Sequence, residues 1–299
     1  LMKKIVTVGL ILLIVSAAII GAQEKRIFND GKIDFVPKNA KIQLYAEDMG
    51  SSLQYIEYSL NGGSIKRYNG PIALSAEGRN FIAYRAIDKL GNVSLEKAFS
   101  CVVDDTPPYF TASANGPAYL EGGKAYGTGN TSIVLWAEDE LSGVSAIYVS
   151  VDDSGFYKYT GPSYIEEDGK HVGKAYAVDN VGNRTKTYQI EAYVDNTPPN
   201  VTIRSADPFV DLQGSKYTTV KNEYSVRAYD NIAGVKEIMV SIDRGEFFTY
   251  TEPVSVQGEG FHSIRAKAVD YLDNMSKATE IGFYVDNDMP EAGHEIIFD

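Results

Sequence analysis

Apolar and polar residues alternate along short runs of this chain, and clusters of Gly, Asn, Asp and Pro separate one run from the next. The runs Tyr55–Leu60 and Ile147–Val151 are examples, and each ends in a polar or glycine-containing turn. No long stretch has the 3.6-residue period of an amphipathic helix. Because successive side chains of a strand point to opposite faces, the pattern predicts many short strands and an all-β sandwich.

The same pattern occurs three times at a fixed spacing of 91 residues (139 − 48 = 230 − 139). Five sets of residues keep this spacing: Asp48/Asp139/Asp230, Asp88/Asp179/Asp270, Tyr68/Tyr159/Tyr250, Pro71/Pro162/Pro253 and Asp104/Asp195/Asp286. A period of this length indicates tandem copies of one domain, each of which buries its own core. The function of the chain therefore depends on what one such repeat, and a row of three, can do.

We predict seven strands per repeat and three tandem Ig-like (fibronectin-III-like) β-sandwich domains. The domains are expected at 23–104, 105–195 and 196–287, with a short tail at 288–299. In the first repeat the strands are expected at about Lys32–Phe35, Lys41–Ala46, Tyr55–Leu60, Ile65–Tyr68, Ile72–Leu74, Arg79–Ile87 and Glu96–Val103.

Near its start the chain has Met2-Lys3-Lys4, then an apolar run from Ile5 to Ile20, then Gly21-Ala22-Gln23. This order predicts a secretory signal peptide at 1–22 that is cleaved after Ala22. The alternative is an uncleaved membrane anchor, although the run is shorter than the ~20 residues that span a bilayer. Either interpretation predicts an exported protein that is periplasmic, outer-membrane-associated or extracellular.

Acidic residues outnumber basic ones, with 40 Asp plus Glu against 28 Lys plus Arg. This charge argues against nucleic acid and anionic membrane surfaces as partners, and it favours divalent cations. The single cysteine, Cys101, cannot form an internal disulfide. A buried strand residue is the interpretation that we favour over a reactive thiol, because Ala192 and Phe283 occupy the same position in the other repeats.

Sequence motifs for catalysis are missing. His171 and His262 occupy one repeat position, which Asn80 holds in the first repeat, as expected for a polar strand-start residue. No nucleophile elbow or glycine-rich phosphate loop occurs, and the paired carboxylates recur once per repeat instead of forming a single site. We therefore expect a protein that is not an enzyme.

Several motifs are similar to those of known repeats. The third repeat contains Gly234-Val235, Ser241-Ile242-Asp243, Glu259-Gly260-x-His262, Ala268-Val269-Asp270 and Asn274. The chain resembles the bacterial Ig-like repeats of secreted and surface proteins, and it is most similar to the spirochaete outer-membrane OmpL-type repeat. The resemblance implies a sandwich module of a kind found in adhesins, in envelope proteins and as spacers beside glycosidase domains.

Two strands of each repeat, the second and the sixth, end in Ala-x-Asp. These strands lie in opposite sheets of an immunoglobulin-type sandwich, so their aspartates should meet at one pole. The linker of the preceding repeat should reach the same pole. The sequence therefore predicts two carboxylate clusters: Asp104 and Asp105 with Asp139 and Asp179, and Asp195 and Asn196 with Asp230 and Asp270.

Such clusters suit Ca²⁺, which takes six to eight oxygen ligands, and calcium is the one cofactor that we consider. The alternative is that each Asp is a turn residue whose carboxylate accepts backbone N–H bonds. The first repeat has no preceding linker, so its pair, Asp48 and Asp88, should bind calcium weakly or not at all.

Aromatic residues are abundant, with 21 tyrosines and one tryptophan, Trp136, on the outward face of its strand. Cross-strand packing is the interpretation that we favour over a ligand-binding patch. In total, the sequence predicts a non-catalytic, secreted or envelope-associated binding or adhesion protein. Its partner would be a protein or glycan ligand at the cell surface or in the periplasm, and membrane contact would arise only through secretion or envelope association. The alternatives are a structural or assembly component of the periplasm and an accessory module for a polysaccharide-acting system.

Overall fold

The computed structural model describes residues 7–13, 25–289, 291–293 and 295, and for residues 7–13 it describes the backbone alone. The predicted cleavage site after Ala22 lies outside these residues. No helix in the described ranges has the length and apolar character needed to cross a membrane. All regular structure in the described chain consists of strands, which confirms the all-β prediction.

The first repeat contains nine strands: β1 (Thr7–Leu13), β2 (Phe28–Asn29), β3 (Asp34–Pro37), β4 (Lys41–Glu47), β5 (Leu53–Leu60), β6 (Lys66–Arg67), β7 (Ile72–Ala73), β8 (Gly78–Asp88) and β9 (Lys97–Asp104). The second contains β10 (Tyr109–Asn115), β11 (Ala118–Glu121), β12 (Lys124–Gly127), β13 (Ser132–Glu138), β14 (Val144–Val151), β15 (Tyr157–Lys158), β16 (Gly169–Asp179) and β17 (Tyr188–Val194). The third contains β18 (Asn200–Ser205), β19 (Val210–Leu212), β20 (Ser215–Thr218), β21 (Tyr224–Tyr229), β22 (Val235–Ile242), β23 (Phe248–Thr249), β24 (Gly260–Asp270) and β25 (Thr279–Val285).

Every repeat pairs one large sheet with one small sheet. The large sheets have the strand orders β2-β3-β9-β8-β5-β6, β11-β12-β17-β16-β14-β15 and β19-β20-β25-β24-β22-β23. The small sheets are β1-β4-β7, β10-β13 and β18-β21. This grouping fits three tandem fibronectin-III-like sandwiches. It also confirms that the two strands ending in Ala-x-Asp, such as β4 and β8, lie in opposite sheets.

The predicted alternation places the inward side chains correctly. On β4 and β8, Ile42, Leu44, Ile82 and Ala86 are buried in the core of the first repeat, which Cys101 joins as a packed strand residue. The matching positions of β21 and β24 form the core of the third repeat: Tyr224, Val226, Ile264, Ala266 and Ala268. Small alanines occur where the two sheets face each other, and bulkier aliphatic side chains fill the rest of the space.

The strands that begin the small sheets were not predicted. β10 and β18 directly follow the linker prolines, and Val201 of β18 lies opposite Ala228 of β21 in an antiparallel register. In the first repeat, β1 takes this role and pairs antiparallel with β4 along its full length, from Thr7 opposite Glu47 to Leu13 opposite Lys41. The sequence analysis assigned this segment to the signal peptide, and its continuous apolar run does not indicate strand pairing.

Contacts divide the chain into two compact units. Unit 1 consists of Leu1–Ser113, Val134–Pro162 and Gly173–Gln189, and unit 2 consists of Ala114–Ile133, Ser163–Val172 and Ile190–Asp299. The first repeat belongs to unit 1 and the third to unit 2, while the strands of the second repeat are distributed between them. The domain boundaries predicted from the sequence period therefore remain a prediction.

A two-residue turn follows β5, β14 and β22, and both of its central residues have positive φ. The first repeat uses Asn61 (φ 51°) and Gly62 (φ 70°), which tolerate these angles. The third repeat places Arg244 at φ 60°, where its Cβ is strained. The exposed ion pair of Arg244 with Glu280, at 3.4 Å, offsets little of this strain.

We predict that Arg244→Gly stabilises the third repeat by about 0.5–1 kcal/mol, because glycine adopts positive φ at low cost. Calorimetry should detect a higher unfolding temperature, and hydrogen exchange should locate the added protection on β22 and β23. Glu280→Ala is the matched control, since it removes the ion pair without changing φ. If Arg244→Gly and Glu280→Ala were both less stable than the wild-type chain, and equally so, the ion pair would contribute more to stability than the backbone strain removes.

Candidate metal centres built from aspartate triads

Three aspartates come together at each of two separate poles, and each aspartate comes from a different strand end. In the second repeat, Asp139 follows β13 in the small sheet and Asp179 ends β16 in the large sheet. The third aspartate, Asp104, ends β9, the last strand of the first repeat. The third repeat has the same arrangement: Asp195, Asp230 and Asp270. We call these the first triad (Asp104, Asp139, Asp179) and the second triad (Asp195, Asp230, Asp270).

The carboxylates of each triad lie close enough to share one cation. In both triads, one carboxylate oxygen of each aspartate lies within 4.8 Å of those of the other two. Oxygen ligands bind Ca²⁺ at about 2.3–2.6 Å, so two ligands of one ion are at most about 5 Å apart. The linker aspartate and the sixth-strand aspartate of each triad are fully buried, whereas Asp139 and Asp230 are half-buried. The donor set therefore fits a calcium ion.

Backbone N–H groups bind the oxygens of these aspartates, as the turn interpretation predicted. Asp179 Oδ1 accepts hydrogen bonds from the N–H groups of Val181 (3.0 Å), Gly182 (2.6 Å) and Asn183 (2.7 Å). Asp139 Oδ1 accepts bonds from two N–H groups of its own loop in the same way. Both oxygens of Asp104 accept backbone N–H bonds, from Thr106 at Oδ1 and from Ser142 at Oδ2. A metal ion at the triad would therefore use the lone pairs that these hydrogen bonds leave.

In each triad an asparagine amide links one carboxylate to the backbone carbonyl oxygen of the linker aspartate. Asn183 Nδ2 donates to Asp179 Oδ2 at 2.7 Å and to the Asp104 carbonyl oxygen at 3.1 Å. Asn274 Nδ2 donates to Asp270 Oδ2 at 2.8 Å and to the Asp195 carbonyl oxygen at 3.0 Å. The sequence analysis did not predict this role. The sequence feature that could have indicated this role is the asparagine four residues after Asp179 and after Asp270.

Burial, together with repulsion from neighbouring aspartates, raises the pKa of Asp179, Asp139 and Asp230. Burial raises the pKa of Asp179 to about 6, and the charge of Asp104 acts in the same direction against the lowering effect of the Asn183 hydrogen bonds. Burial also raises the pKa of Asp139 and of Asp230, with a smaller contribution from the neighbouring aspartates. A cation would remove this cost of keeping the carboxylates ionised.

The first repeat has only two aspartates at this pole. The Ser51 Oγ lies 3.1 Å from Asp48 Oδ2 and 2.6 Å from Asp88 Oδ2, and its single proton is donated to one of them at a time. Hydrogen bonds from the side chains of Ser51 and Asn92 lower the pKa of Asp88 to about 2. Hydrogen bonds thus stabilise the Asp88 carboxylate, and weak or absent calcium binding in this repeat remains a prediction.

Ser142 occupies the position of Ser51 in the second repeat, and its contacts differ. Its backbone N–H donates to Asp104 Oδ2 at 3.0 Å, whereas its buried hydroxyl has no hydrogen-bond partner. A buried hydroxyl without a partner is unfavourable. This oxygen lies beside the first triad, so it is a further oxygen that an ion could use.

Two of the predicted ligands lie outside the triads. Asp105 pairs with Lys38, with 2.6 Å between Oδ2 and Nζ. Asn196 Oδ1 accepts a bond from the Gly129 N–H at 2.7 Å, and Asn196 Nδ2 donates to Asp168 Oδ1 at 2.7 Å. Both side chains fix the linker to the repeat that it leaves. The structure therefore brings together six of the eight predicted ligands.

A cleft reaches two of the three aspartates of the first triad, Asp104 and Asp139. It is lined by Glu77, Asp104, Thr106, Pro107, Pro108, Tyr109, Glu138, Asp139, Glu140 and Leu141. Trp136 packs edge-on against Tyr109, with ring centroids 6.2 Å apart, and both rings are exposed.

The remaining chemical candidates have structural roles in the described residues. His262 Nδ1 lies 2.9 Å from Asp243 Oδ2 at the start of β24. Burial raises the pKa of the Cys101 thiol to about 11, which makes the thiol unreactive at neutral pH. Neither group contacts a triad.

Comparison with known proteins finds similar folds at low similarity. No family model matches the chain, and no curated protein matches it. Fibronectin(III)-like modules of CbhA from Clostridium thermocellum share 15% identity, with a TM-score of 0.33 over 56% of this chain and 94% of theirs. A bacterial ice-binding adhesin of 1.5 MDa shares 12% identity, with a TM-score of 0.38 over 84% of this chain and 93% of that one. Drosophila N-cadherin EC1-3 shares 13% identity, with a TM-score of 0.23 over 78% and 89%.

These TM-scores are below 0.5, so the likenesses carry no argument about function. The resemblance to the OmpL-type repeat likewise remains a prediction. What the chain does has to be argued from its own residues.

We predict that the Asp179 carboxyl titrates near pH 6 in calcium-free protein and that the Asp88 carboxyl titrates near pH 2. Because the folded-state pKa of Asp179 exceeds its ordinary value of 3.8, its protonation stabilises the fold at low pH. This contribution is lost as the pH rises from 3.8 to about 6. Carbon-13 NMR of the aspartate carboxyls measures both values. Titration of Asp179 at or below its ordinary value would contradict the burial argument.

Proposed function

We propose that this is an exported, non-catalytic binding protein in which calcium, bound at the two triads, fixes each repeat to the next. The observation that carries the proposal is the composition of the triads. Each takes one carboxylate from the end of a repeat and two from the repeat that follows, at positions 91 residues apart (195 − 104 = 270 − 179). An ion bound there ties the two repeats together, because it has ligands from both.

Hydrogen bonds already join the same groups across each junction. The Ser142 N–H donates to Asp104 Oδ2 at 3.0 Å, and the Ala233 N–H donates to Asp195 Oδ2 at 2.9 Å. The Asn183 and Asn274 amides donate to the carbonyl oxygens of the same two aspartates. The two backbone N–H bonds hold the carboxylate of each linker aspartate in place before an ion arrives, and such preorganisation lowers the cost of binding.

A binding role at the cell surface or in the periplasm is the function that we infer for the row of repeats. A stiff row presents exposed side chains at fixed separations, and the exposed pair Tyr109–Trp136 beside the acidic cleft is a surface that a protein or glycan ligand can contact. The negative charge and the lack of a catalytic constellation among the described residues support a partner-binding role over an enzymatic one.

We predict that calcium raises the thermal stability of the full chain and lengthens its time-averaged dimension. At free calcium tenfold above a dissociation constant of ~10⁻⁴–10⁻³ M, binding to the folded state adds about 1.4 kcal/mol per site, or roughly 5 °C. Calorimetry and small-angle X-ray scattering with chelator, and then with calcium, measure the two effects. Asp179→Ala should remove the effect at the first junction and Asp270→Ala the effect at the second. Asp48→Ala is the control, since its pair has no linker aspartate.

An unchanged unfolding temperature and an unchanged maximum dimension on adding calcium would contradict this proposal. An equal response of Asp48→Ala and Asp179→Ala would also contradict it, because the stabilisation would then be nonspecific.

Export is a separate prediction. In fractionated cells that produce the protein, we expect the chain in the periplasmic, outer-membrane or extracellular fraction, with an N-terminus at Gln23 or within a few residues of it. Mass analysis of the native protein, together with protease treatment of intact cells, tests the compartment and the cleavage. Cytoplasmic protein with an intact Met2 would overturn it.

A further inference from the structure

Two basic residues at the start of the first repeat bind the loop that carries the first triad. Lys25 Nζ donates to Asn183 Oδ1 at 2.8 Å. The backbone N–H of Arg26 donates to the Val181 carbonyl oxygen at 3.1 Å, and its guanidinium Nε donates to the Asn180 carbonyl oxygen at 3.0 Å. Three consecutive polar bonds thus attach the N-terminal segment to residues 180–183.

Lys25 binds the same amide that links the Asp179 carboxylate to the Asp104 carbonyl oxygen. The nitrogen of this amide, Asn183 Nδ2, donates to Asp179 Oδ2 and to the Asp104 carbonyl oxygen, while its oxygen accepts from Lys25. Calcium binds oxygen and repels an N–H donor. An ion can therefore use the oxygens of Asp104 and Asp179 fully only if this amide rotates or withdraws, and the bond to Lys25 opposes both movements.

The second triad has no such bond among the described residues. Asn274 Nδ2 makes the equivalent bonds to Asp195 and Asp270, but no lysine or arginine binds its oxygen in the part of the chain that the structure describes. The repeat positions of Lys25 and Arg26 hold Gly116 and Pro117. The nearby contacts are neutral: the Tyr119 hydroxyl donates to the Ala233 carbonyl oxygen, and its ring packs on Tyr271.

The positive charges near the two triads also differ in their partners. Lys236 in the third repeat pairs with Asp273, at 2.7 Å between Nζ and Oδ1, so its charge is balanced. Lys25 binds a neutral amide. The positive charge of Lys25 therefore repels any divalent ion at the first triad, from which it is separated by the Asn183 amide group.

We propose that Lys25 is a cationic latch that lowers the calcium affinity of the first triad, so that the second triad fills first and the first at higher calcium. This inference rests on the proposed function. On this inference, the two junctions bind calcium at different calcium concentrations. The side-chain amides of Asn183 and Asn274 are then expected to move aside, or to turn Oδ1 toward the ion, when calcium binds.

The test uses the full chain and calcium as the only probe. Isothermal titration calorimetry on Asp270→Ala reports the first triad alone, and titration of Asp179→Ala reports the second alone. Lys25→Gln, added to each, should raise the affinity of the first triad roughly three- to tenfold and leave that of the second unchanged. Lys32→Gln removes an equal charge from an exposed lysine and is the control, expected to change neither.

The outcomes separate the two proposals. Absence of calcium binding in the wild-type chain overturns both. Binding at both triads with equal affinity, or a Lys25→Gln variant that behaves like Lys32→Gln, overturns the latch and leaves the calcium junctions standing. Should an aspartate variant fail to fold, nitrogen-15 NMR of the Asn183 and Asn274 side-chain amides in the wild-type chain supplies the same comparison. We expect the Asn274 signal to shift at lower calcium than the Asn183 signal, and the reverse order overturns the latch.

Discussion

Like charges brought together at buried strand ends are the constraint on which each junction depends. Three carboxylates within 4.8 Å of one another cannot all remain ionised without compensation. Hydrogen bonds compensate in part: backbone N–H groups of the turns bind the aspartates, and the amides of Asn183 and Asn274 donate to Asp179 and Asp270. In the first triad the pKa of Asp179 also rises to about 6, so near that pH its carboxyl is protonated part of the time. A divalent ion would replace the proton with a stronger link. The first repeat differs, because its described residues place a pair of aspartates beside the Ser51 hydroxyl instead of a triad.

The packing of the sandwich core also determines the geometry of the triads. The two Ala-x-Asp strands meet because they lie in opposite sheets, and they approach closely because small alanines occupy the inward positions above the aspartates. The packing that forms the core thus sets the distance between Asp139 and Asp179 and between Asp230 and Asp270. Larger residues at Ala177 or Ala268, both fully buried, would widen the pole as well as strain the core.

The sequence period predicted more of the fold and of the two triads than any single motif did. Alternation identified the inward residues of β4 and β8, and the 91-residue spacing identified six of the aspartates that converge. The remaining features depend on contacts between distant segments. β10 and β18 follow prolines and contain few bulky apolar residues, so their pairing depends on the edge that β13 and β21 offer. Asp105 lies next to Asp104 in sequence, but it comes after the end of β9, and its carboxylate reaches Lys38 instead of the triad. The contact of Lys25 with Asn183 spans 158 residues, and no local pattern signals it.

The way in which each linker aspartate is held has a mechanical consequence. The Ser142 N–H that binds the Asp104 carboxylate belongs to the loop between β13 of the small sheet and β14 of the large sheet, and the Asn183 amide that binds the Asp104 carbonyl oxygen belongs to the turn after β16 of the large sheet. A pulling force that enters the second repeat through this linker is therefore divided between two loops that are distant from each other in sequence. Neither loop carries the whole load.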